Sequence, residues 1–346
     1  MVSLDIFHQD PFSTIQLTEA VEKVPFQPTL LGDMGIFEPE PIRTTALMVE
    51  ERTGILTLIK TSERGTPQNS ERITEKRTAR YFAVPRITQG DTIYANEIQN
   101  IRAFGTETEL MQVQAEAARR LSGPTGLLAN VAYTWENMRL GAVQGVLLDA
   151  DGSQIYSWFD EFQITAATEV GFNLAAGVAN SIRPLCNQIV RAMARASQGA
   201  FRPTTRVIAL CGDTFYDEFV NHPDVIRTFL NWAAAEDIRT GGTGGAFSSF
   251  RFAEIDWINY RGSDDNSTVA LPVDRVKFFP VGAPGVFKKA IAPADRFEYV
   301  NTLGKDVYVY PIFDRDRNEW WRQEVYSYPL FICTRPAVLQ SGRAGT

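Results

Sequence analysis

The sequence predicts an α+β protein in which a compact unit carries extended projections. Three observations predict it. Helix-period apolar stripes and short apolar strand runs alternate along the chain. A Pro- and Gly-dense segment opens it, with Pro25, Pro28, Gly32, Gly35, Pro39 and Pro41, and such text cannot close a core of its own. A long polar stretch of mixed charge, SERGTPQNSERITEKRTAR, lies between strand-like runs.

Length and composition bound the rest. A chain of 346 residues implies roughly two domains. Its 44% hydrophobic and 22% charged content is ordinary for a globular protein. No apolar run reaches the ~20 residues needed to span a bilayer. The opening MVSLDIFHQDPF carries acids where a secretory signal carries bases, so the expected compartment is a cytoplasm, or a particle assembled in one. The net charge of -7 argues against a dedicated nucleic-acid binder. Cys186, Cys211 and Cys333 stand far apart in apolar contexts without a C-x-x-C pair, which reads as reduced structural thiols.

The elements follow in order. Residues 1–45 read as an arm, with a short helix through Leu17, Ala20 and Val21 behind a weak Ser13–Gln16 capping box. Its apolar residues Phe26, Leu30, Leu31, Ile36 and Phe37 need an outside surface to cover them. TALMVEE and GILTLIKT read as strands around a turn at Glu51–Gly54, followed by the polar segment as a mobile hairpin tip and a returning strand YFAVPRI. A long helix begins near Thr106, where Thr106 and Glu109 form a capping box, and carries Leu110, Val113, Ala117 and Leu121. SGPTG breaks it, and helix text resumes at Leu127, giving a kinked or broken rod. GVLLDADGSQIYSWF follows as a hairpin turning at Asp151-Gly152.

From about residue 170 the text describes a compact unit of helices and strands. Ser181 precedes a helix with Pro184 in its first turn and an apolar stripe of Ile182, Leu185, Ile189 and Met193. RVIALCG is a buried strand, Asp213 caps the helix TFYDEFVN, and Pro223 starts another. FRFAEIDWINY, DRVKFFPV, DVYVYPIF and EVYSYPLFI each read as one strand. Between Val281 and the aromatic text near Tyr299 lies a long connection punctuated by Gly282, Pro284, Gly285 and Pro293; connections of this length are commonly functional or interfacial.

Enzyme chemistry finds little footing. There are two histidines, His8 and His222, and neither stands in H-E-x-x-H; no G-x-S-x-G occurs. DADG at Asp149–Gly152 is too short for a calcium loop, and in DRDRNE at Asp314–Glu319 a Glu holds the position of the turn-forming Gly while Val325 holds that of the bidentate Glu. GGTGG, Gly241–Gly245, lacks the phosphate-loop pattern and reads as a flexible loop suited to a crowded symmetry axis. Lys76, Arg77 and Arg80 are offset by Glu71 and Glu75, a solvated face rather than a nucleic-acid patch, and Trp320-Trp321 reads as core or interface. No catalytic residue, cofactor or metal site is expected.

Several blocks in order resemble one family: LTEAVEKVPFQP and LGDMGIF in the arm, DTIYANEIQNIRAFG before the long helix, CGDTFYDEFVNHPDVIRTFLNW, FFPVGAPGVFKKAIAPADRFEYVNTLG and the closing PLFICTRPAVLQSG. Over nearly the whole chain the sequence resembles the lambda-type tailed-phage major capsid proteins, the major capsid protein E family. The resemblance implies a Hong-Kong-97-like capsid fold: an N-terminal arm at 1–45, an extended β-hairpin loop at 46–90, a peripheral domain with spine helix and β-hairpin at 91–170, an axial domain with return strands at 171–335, and a C-terminal tail at 336–346. It implies that copies of the chain form hexamers and pentamers tiling an icosahedral shell around double-stranded DNA. Scaffold, portal and decoration proteins are the implied partners, and no membrane is involved.

Inter-subunit contacts are then expected at Phe26, Leu30, Leu31 and Phe37 of the arm, at Arg64, Arg72, Lys76 and Arg80 of the loop, and at Gly241, Gly242, Gly244 and Gly245. Some relatives weld their shells with a Lys–Asn isopeptide bond. Lys60 and Lys76 lie in the loop here, no motif pairs them, and no crosslink is expected. Two other classes remain: a cellular nanocompartment shell of the same fold, marked by a cargo-peptide groove, and a soluble enzyme with a carboxylate pair, marked by a discrete monomer or dimer.

Overall fold

The computed structural model describes residues 27–53, 76–99, 113–230, 249–260, 269–317 and 319–345. The arm helix near Leu17, the GILTLIKT strand, the Thr106 capping box and the GGTGG loop fall outside these residues.

A six-stranded sheet organises the axial part, in the order Val170–Gly171, Gln340–Arg343, Arg275–Val281, Arg206–Cys211, Ile255–Asn259, Ser249–Phe252. Arg206–Cys211 is central and buried on both faces, which is why RVIALC is apolar without alternation. Val207, Ala209 and Cys211 turn to a core of Phe172, Phe215, Phe219, Trp257 and Phe278 beneath the helices Ile182–Ala196, Asp213–Val220 and Pro223–Leu230. Ile208 and Leu210 turn the other way, to a second core shared with Met138, Leu140 and Val143.

Those three residues belong to the spine, a rod in two pieces, Val113–Ser122 and Leu127–Gln144. The break has a steric cause. A Cβ at Gly123 would stand 2.3 Å from the Arg119 carbonyl oxygen, so the chain can turn there only without a side chain. At the far end Gly145 caps the helix in the left-handed conformation, φ +88°.

Among the described residues four smaller sheets flank the spine, one of them the antiparallel hairpin of Val146–Leu148 with Gln154–Ser157 that directly follows it. Tyr308–Phe313, Trp320–Ser327 and Ile87–Tyr94 form an antiparallel peripheral sheet. Glu38–Pro41, Phe287–Ile291 and Pro329–Cys333 form the second. Ala46–Thr53 pairs antiparallel with Lys76–Ala83 as the root of the extended loop.

Several expectations are corrected. The strand expected to turn at Glu51 continues through Thr53, and its partner is Lys76–Ala83 rather than GILTLIKT. YFAVPRI is not one strand, because Val84–Arg86 around Pro85 separates Lys76–Ala83 from Ile87–Tyr94. FRFAEIDWINY is a tight hairpin whose turn residues, Ala253 and Glu254, both have positive φ. EVYSYPLFI divides at Tyr328, where the chain leaves one sheet for another. The connection after Val281 contains the strand Phe287–Ile291, and Phe297–Tyr299 is a short 3-10 turn instead of strand. Asp213 is the first helical residue and Gly212 takes the cap position. Residues 336–345 are no free tail, since Gln340–Arg343 lies inside the six-stranded sheet. The arm's Glu38–Pro41 finds its partner strand in its own chain.

Candidate inter-subunit surfaces

The near end of the arm is anchored on the spine by one carboxylate. Glu136 is the only acid in Leu127–Gln144 and Arg139 the only base, three residues apart. Glu136 is fully buried and accepts hydrogen bonds from the backbone N–H groups of Leu31 (2.7 Å) and Gly32 (3.1 Å) and from Arg139 (3.1 Å). Burial pushes its pKa up, against the pull of those donors. Sequence reasoning passed over Glu136; the signal was a lone acid–base pair in an otherwise uncharged helix.

The expected contact residues fall into three groups. Leu31 has 0% exposure, closed off by its own chain. Phe37 packs edge-on to Phe287 and Phe331, ring centroids 5.3 and 5.1 Å away, and Leu30 is half-buried beside the same core. Arg80 pairs with Glu51 at 2.8 Å and lies over the Phe162 ring, and the backbone of Lys76 ends the hairpin ladder opposite Thr53. Phe26, Arg64, Arg72, Gly241, Gly242, Gly244 and Gly245 lie outside the described residues. Among the described residues, Leu30, Leu31 and Phe37 share no hydrogen bond, ion pair or ring contact with Lys76 or Arg80.

The hairpin root is two-faced. Leu47 and Phe82 are directly opposed and buried, with Phe82 edge-on to Tyr156 and Trp158. One residue along, Met48 and Tyr81 are opposed on the other face, where Tyr81 is 70% exposed. A second apolar exposure lies at the turn after Phe287–Ile291, where Phe297 is 99% exposed and Val300 and Leu303 are also open. Sequence reasoning did not single out these residues. Solitary exposed apolar residues are ordinary, but an aromatic at 99% with two more open apolar side chains close by in the chain is a candidate contact surface.

A charged knot fixes the first spine segment to the peripheral sheet. Buried Glu116 accepts from Arg119 and Arg120, and Arg120 continues to Asp91 and Glu97. The hydrogen bond from Arg119, with that from Arg120, lowers the Glu116 pKa to about 2 against the burial that would raise it.

The residues weighed as chemical sites have structural partners. The Asp314 carboxylate accepts from the backbone N–H groups of Asp316, Arg317 and Glu319, and Asp149 and Asp151 accept from Ala150 and Ser153, so both acidic stretches close turns. His222 Nδ1 accepts from the Asp224 N–H at the start of a helix. All three cysteines are free and buried, with burial pushing Cys186 and Cys333 up to about 12. Among the described residues no three His, Cys, Asp or Glu side chains gather to hold a metal, and no helix is long and apolar enough to cross a membrane.

The comparisons with known proteins agree with this arrangement. The family model described as phage major capsid protein E matches residues 13–344. The major capsid protein of Pseudomonas phage KPP10 is 27% identical over 319 residues, covering 88% of this chain and 90% of the relative. That of Salmonella phage Felix O1 is 23% identical, covering 96% of each. Among solved structures, the capsid of cyanophage P-SCSP1u superposes with a TM-score of 0.54 at 12% identity, over 100% of this chain and 95% of the other, a likeness of fold. With the family model running through arm, spine, peripheral and axial parts alike, the chain belongs to the phage major capsid protein E family: it is a structural subunit of a phage head shell, not an enzyme.

Proposed function

We propose that the chain closes into hexamers and pentamers through head-to-tail contacts between copies, and that these rings tile an icosahedral shell around double-stranded DNA. Heterologous contacts close into rings when the rotation between copies allows it. The observation that carries this reading is the family match from residue 13 to 344, which spans the projecting segments as well as the compact unit. The open apolar residues Tyr81 and Phe297 support it, since obligate interfaces bury large apolar areas. Contacts between copies run through the arm's Phe26 and the open parts of Leu30 and Phe37, the loop's Arg64, Arg72, Lys76 and Arg80, and the glycines at 241, 242, 244 and 245. Leu31, already enclosed, contributes by holding the arm in place.

A scaffold protein, a portal and a decoration protein complete the particle, assembly takes place in the host cytoplasm, and packaging expands the shell. No covalent weld forms between subunits. Electron microscopy of the overexpressed protein tests the reading. Shells, tubes or rings are expected; a discrete monomer or dimer at high concentration overturns it. Boiled shells should run as a single band on a denaturing gel, and a ladder of heat-stable oligomers would disprove the absence of a weld.

A further inference from the structure

In a protein of net charge -7, one surface of the axial part is basic. The helix Ile182–Ala196 carries Arg183, Asn187, Arg191 and Arg195 at intervals of four, one exposed stripe along its outer side. Arg227 comes from the next helix and Arg251 from the edge strand Ser249–Phe252. Arg183, Arg191, Arg227 and Arg251 line an open cleft of about 1050 Å³. Of the two acids in its lining, Asp224 is engaged, accepting from the backbone N–H groups of Asn180 and Ile182; the other is Glu254. Arg191 and Arg227 make no ion pair with a described residue, Arg183 lies over the Phe252 ring, and Arg251 pairs with Asp256 at 3.8 Å. Four guanidinium groups outnumber the two carboxylates of this concavity and leave Arg191 and Arg227 open to receive another, because the planar fork binds a carboxylate through two parallel hydrogen bonds.

The same axial part presents the complement. The helix Asp213–Val220 exposes Asp213 and Asp217 one turn apart, with half-buried Glu218 beside them, and none of the three pairs with a described cation. This helix contributes no residue to the lining of the cleft. A subunit with an arginine-lined recess in one place and an unpaired acidic helix in another is self-complementary in the head-to-tail sense: each copy can give its helix to one neighbour and its recess to the next.

We infer that the cleft lined by Arg183, Arg191, Arg227 and Arg251 receives the acidic face of Asp213–Val220 from a second copy of the chain, as the contact that closes the ring. The inference rests on the ring-and-shell reading above and names the surface through which that reading operates. An acidic segment of a different protein is the competing occupant.

The test is a charge exchange in the full-length protein. Arg191→Glu with Arg227→Glu, and Asp217→Arg with Glu218→Arg, are made separately and then combined in one chain. Assembly is measured by electron microscopy and sedimentation, with melting by circular dichroism as the control for folding. Each reversal is expected to lower the yield of shells about tenfold or more, and the combined chain to recover most of it. A reversal that assembles like the wild type overturns the inference. A combined chain no better than its parents also overturns it and points to another acidic partner.

If the reversals fail to fold, a milder pair decides: Arg191→Cys and Asp217→Cys in one chain, assembled and treated with a short-span bismaleimide. The native cysteines are buried. A ladder of linked subunits supports the contact, and its absence from intact shells rules the contact out. A wild-type chain that forms no shells under any condition faults the shell reading itself, which keeps the two failures distinct.

Discussion

The axial part and the projections attached to the spine are built on different principles. The axial core is an aromatic block. Phe219 stacks on Trp257 with centroids 3.8 Å apart, and Phe172, Phe215 and Phe278 close around them at centroid distances from 5.4 to 6.3 Å. Every member is buried by its own chain. The arm and hairpin are held piecemeal: the arm by Glu136, by Leu31 and Phe37 and by the pairing of Glu38–Pro41 with Phe287–Ile291, the hairpin by Leu47 and Phe82 with Arg80 and Glu51 at its flank. Beyond those points Met48 and Tyr81 of the hairpin stand open, as does Phe297 at the turn after Phe287–Ile291. A shell subunit needs both kinds of region. The block is buried by its own chain, and the hairpin leaves open surface that a neighbour could bury.

That contrast breaks most directly in the block. Phe219→Ala should cost about 3–5 kcal/mol, the range for a large aromatic removed from a packed core, read from denaturant unfolding of the unassembled subunit. A loss under about 1 kcal/mol would show that the block is looser than its ring distances imply. The charged knot comes next. The folded pKa of Glu116, about 2, lies below the unfolded value of 4.5. Its contribution is therefore complete above pH 4.5 and is lost as pH falls toward 2. The size is on the order of 2 kcal/mol once the exposure of Arg119 is discounted. Glu116→Gln should flatten that part of the stability–pH curve, and a curve unchanged by the substitution would remove the knot from the account.

Glu136 tests the attachment itself. Glu136→Leu leaves the Leu31 and Gly32 N–H groups without an acceptor and Arg139 without its carboxylate, for about 1–3 kcal/mol. The sharper readout is limited proteolysis, where the arm should be cut before the axial part, which stays intact. Its pH dependence runs opposite to that of Glu116. A carboxyl whose folded pKa is raised takes up a proton more readily in the folded state, so its contribution improves as pH falls. Equal protection of arm and axial part in Glu136→Leu would mean that Leu31, Phe37 and the pairing of Glu38–Pro41 with Phe287–Ile291 hold the arm without the carboxylate.

Much of this was legible in the chain, for identifiable reasons. RVIALC could be read because a strand buried on both faces writes an unbroken apolar run, and the spine because SGPTG interrupts two helical stripes. The hairpin inside FRFAEIDWINY was hidden because Ala253 and Glu254 take positive φ without the Gly or Asn that usually marks such a turn. The corner at Tyr328 was hidden because residues on both sides are strand formers; only tertiary packing assigns them to different sheets. For the candidate surfaces, the need of Phe37 and Leu31 for cover was visible, but the cover itself was not. Phe287 and Phe331 come from far along the chain, and no local rule connects them. The arginine stripe is legible at its four-residue spacing, while Arg251 joins it only through the fold.

The smallest effect separates subunit stability from assembly. Arg80 and Glu51 form a partly exposed pair at 2.8 Å, so Arg80→Ala should cost no more than about 1 kcal/mol in the unassembled subunit. Tyr81, its neighbour on the opposite face, is 70% exposed, and Tyr81→Ser should shift the same measurement by no more than about 0.5 kcal/mol. Both variants should therefore melt with the wild type. If the outer face of the hairpin is covered by a neighbouring copy, Tyr81→Ser should nonetheless reduce the yield of shells, since the apolar area it loses is buried only on assembly. A Tyr81→Ser subunit that is as stable as the wild type and assembles equally well would make the outer face plain solvent-facing surface, and would move the line between self-sufficient block and dependent projection beyond the hairpin root.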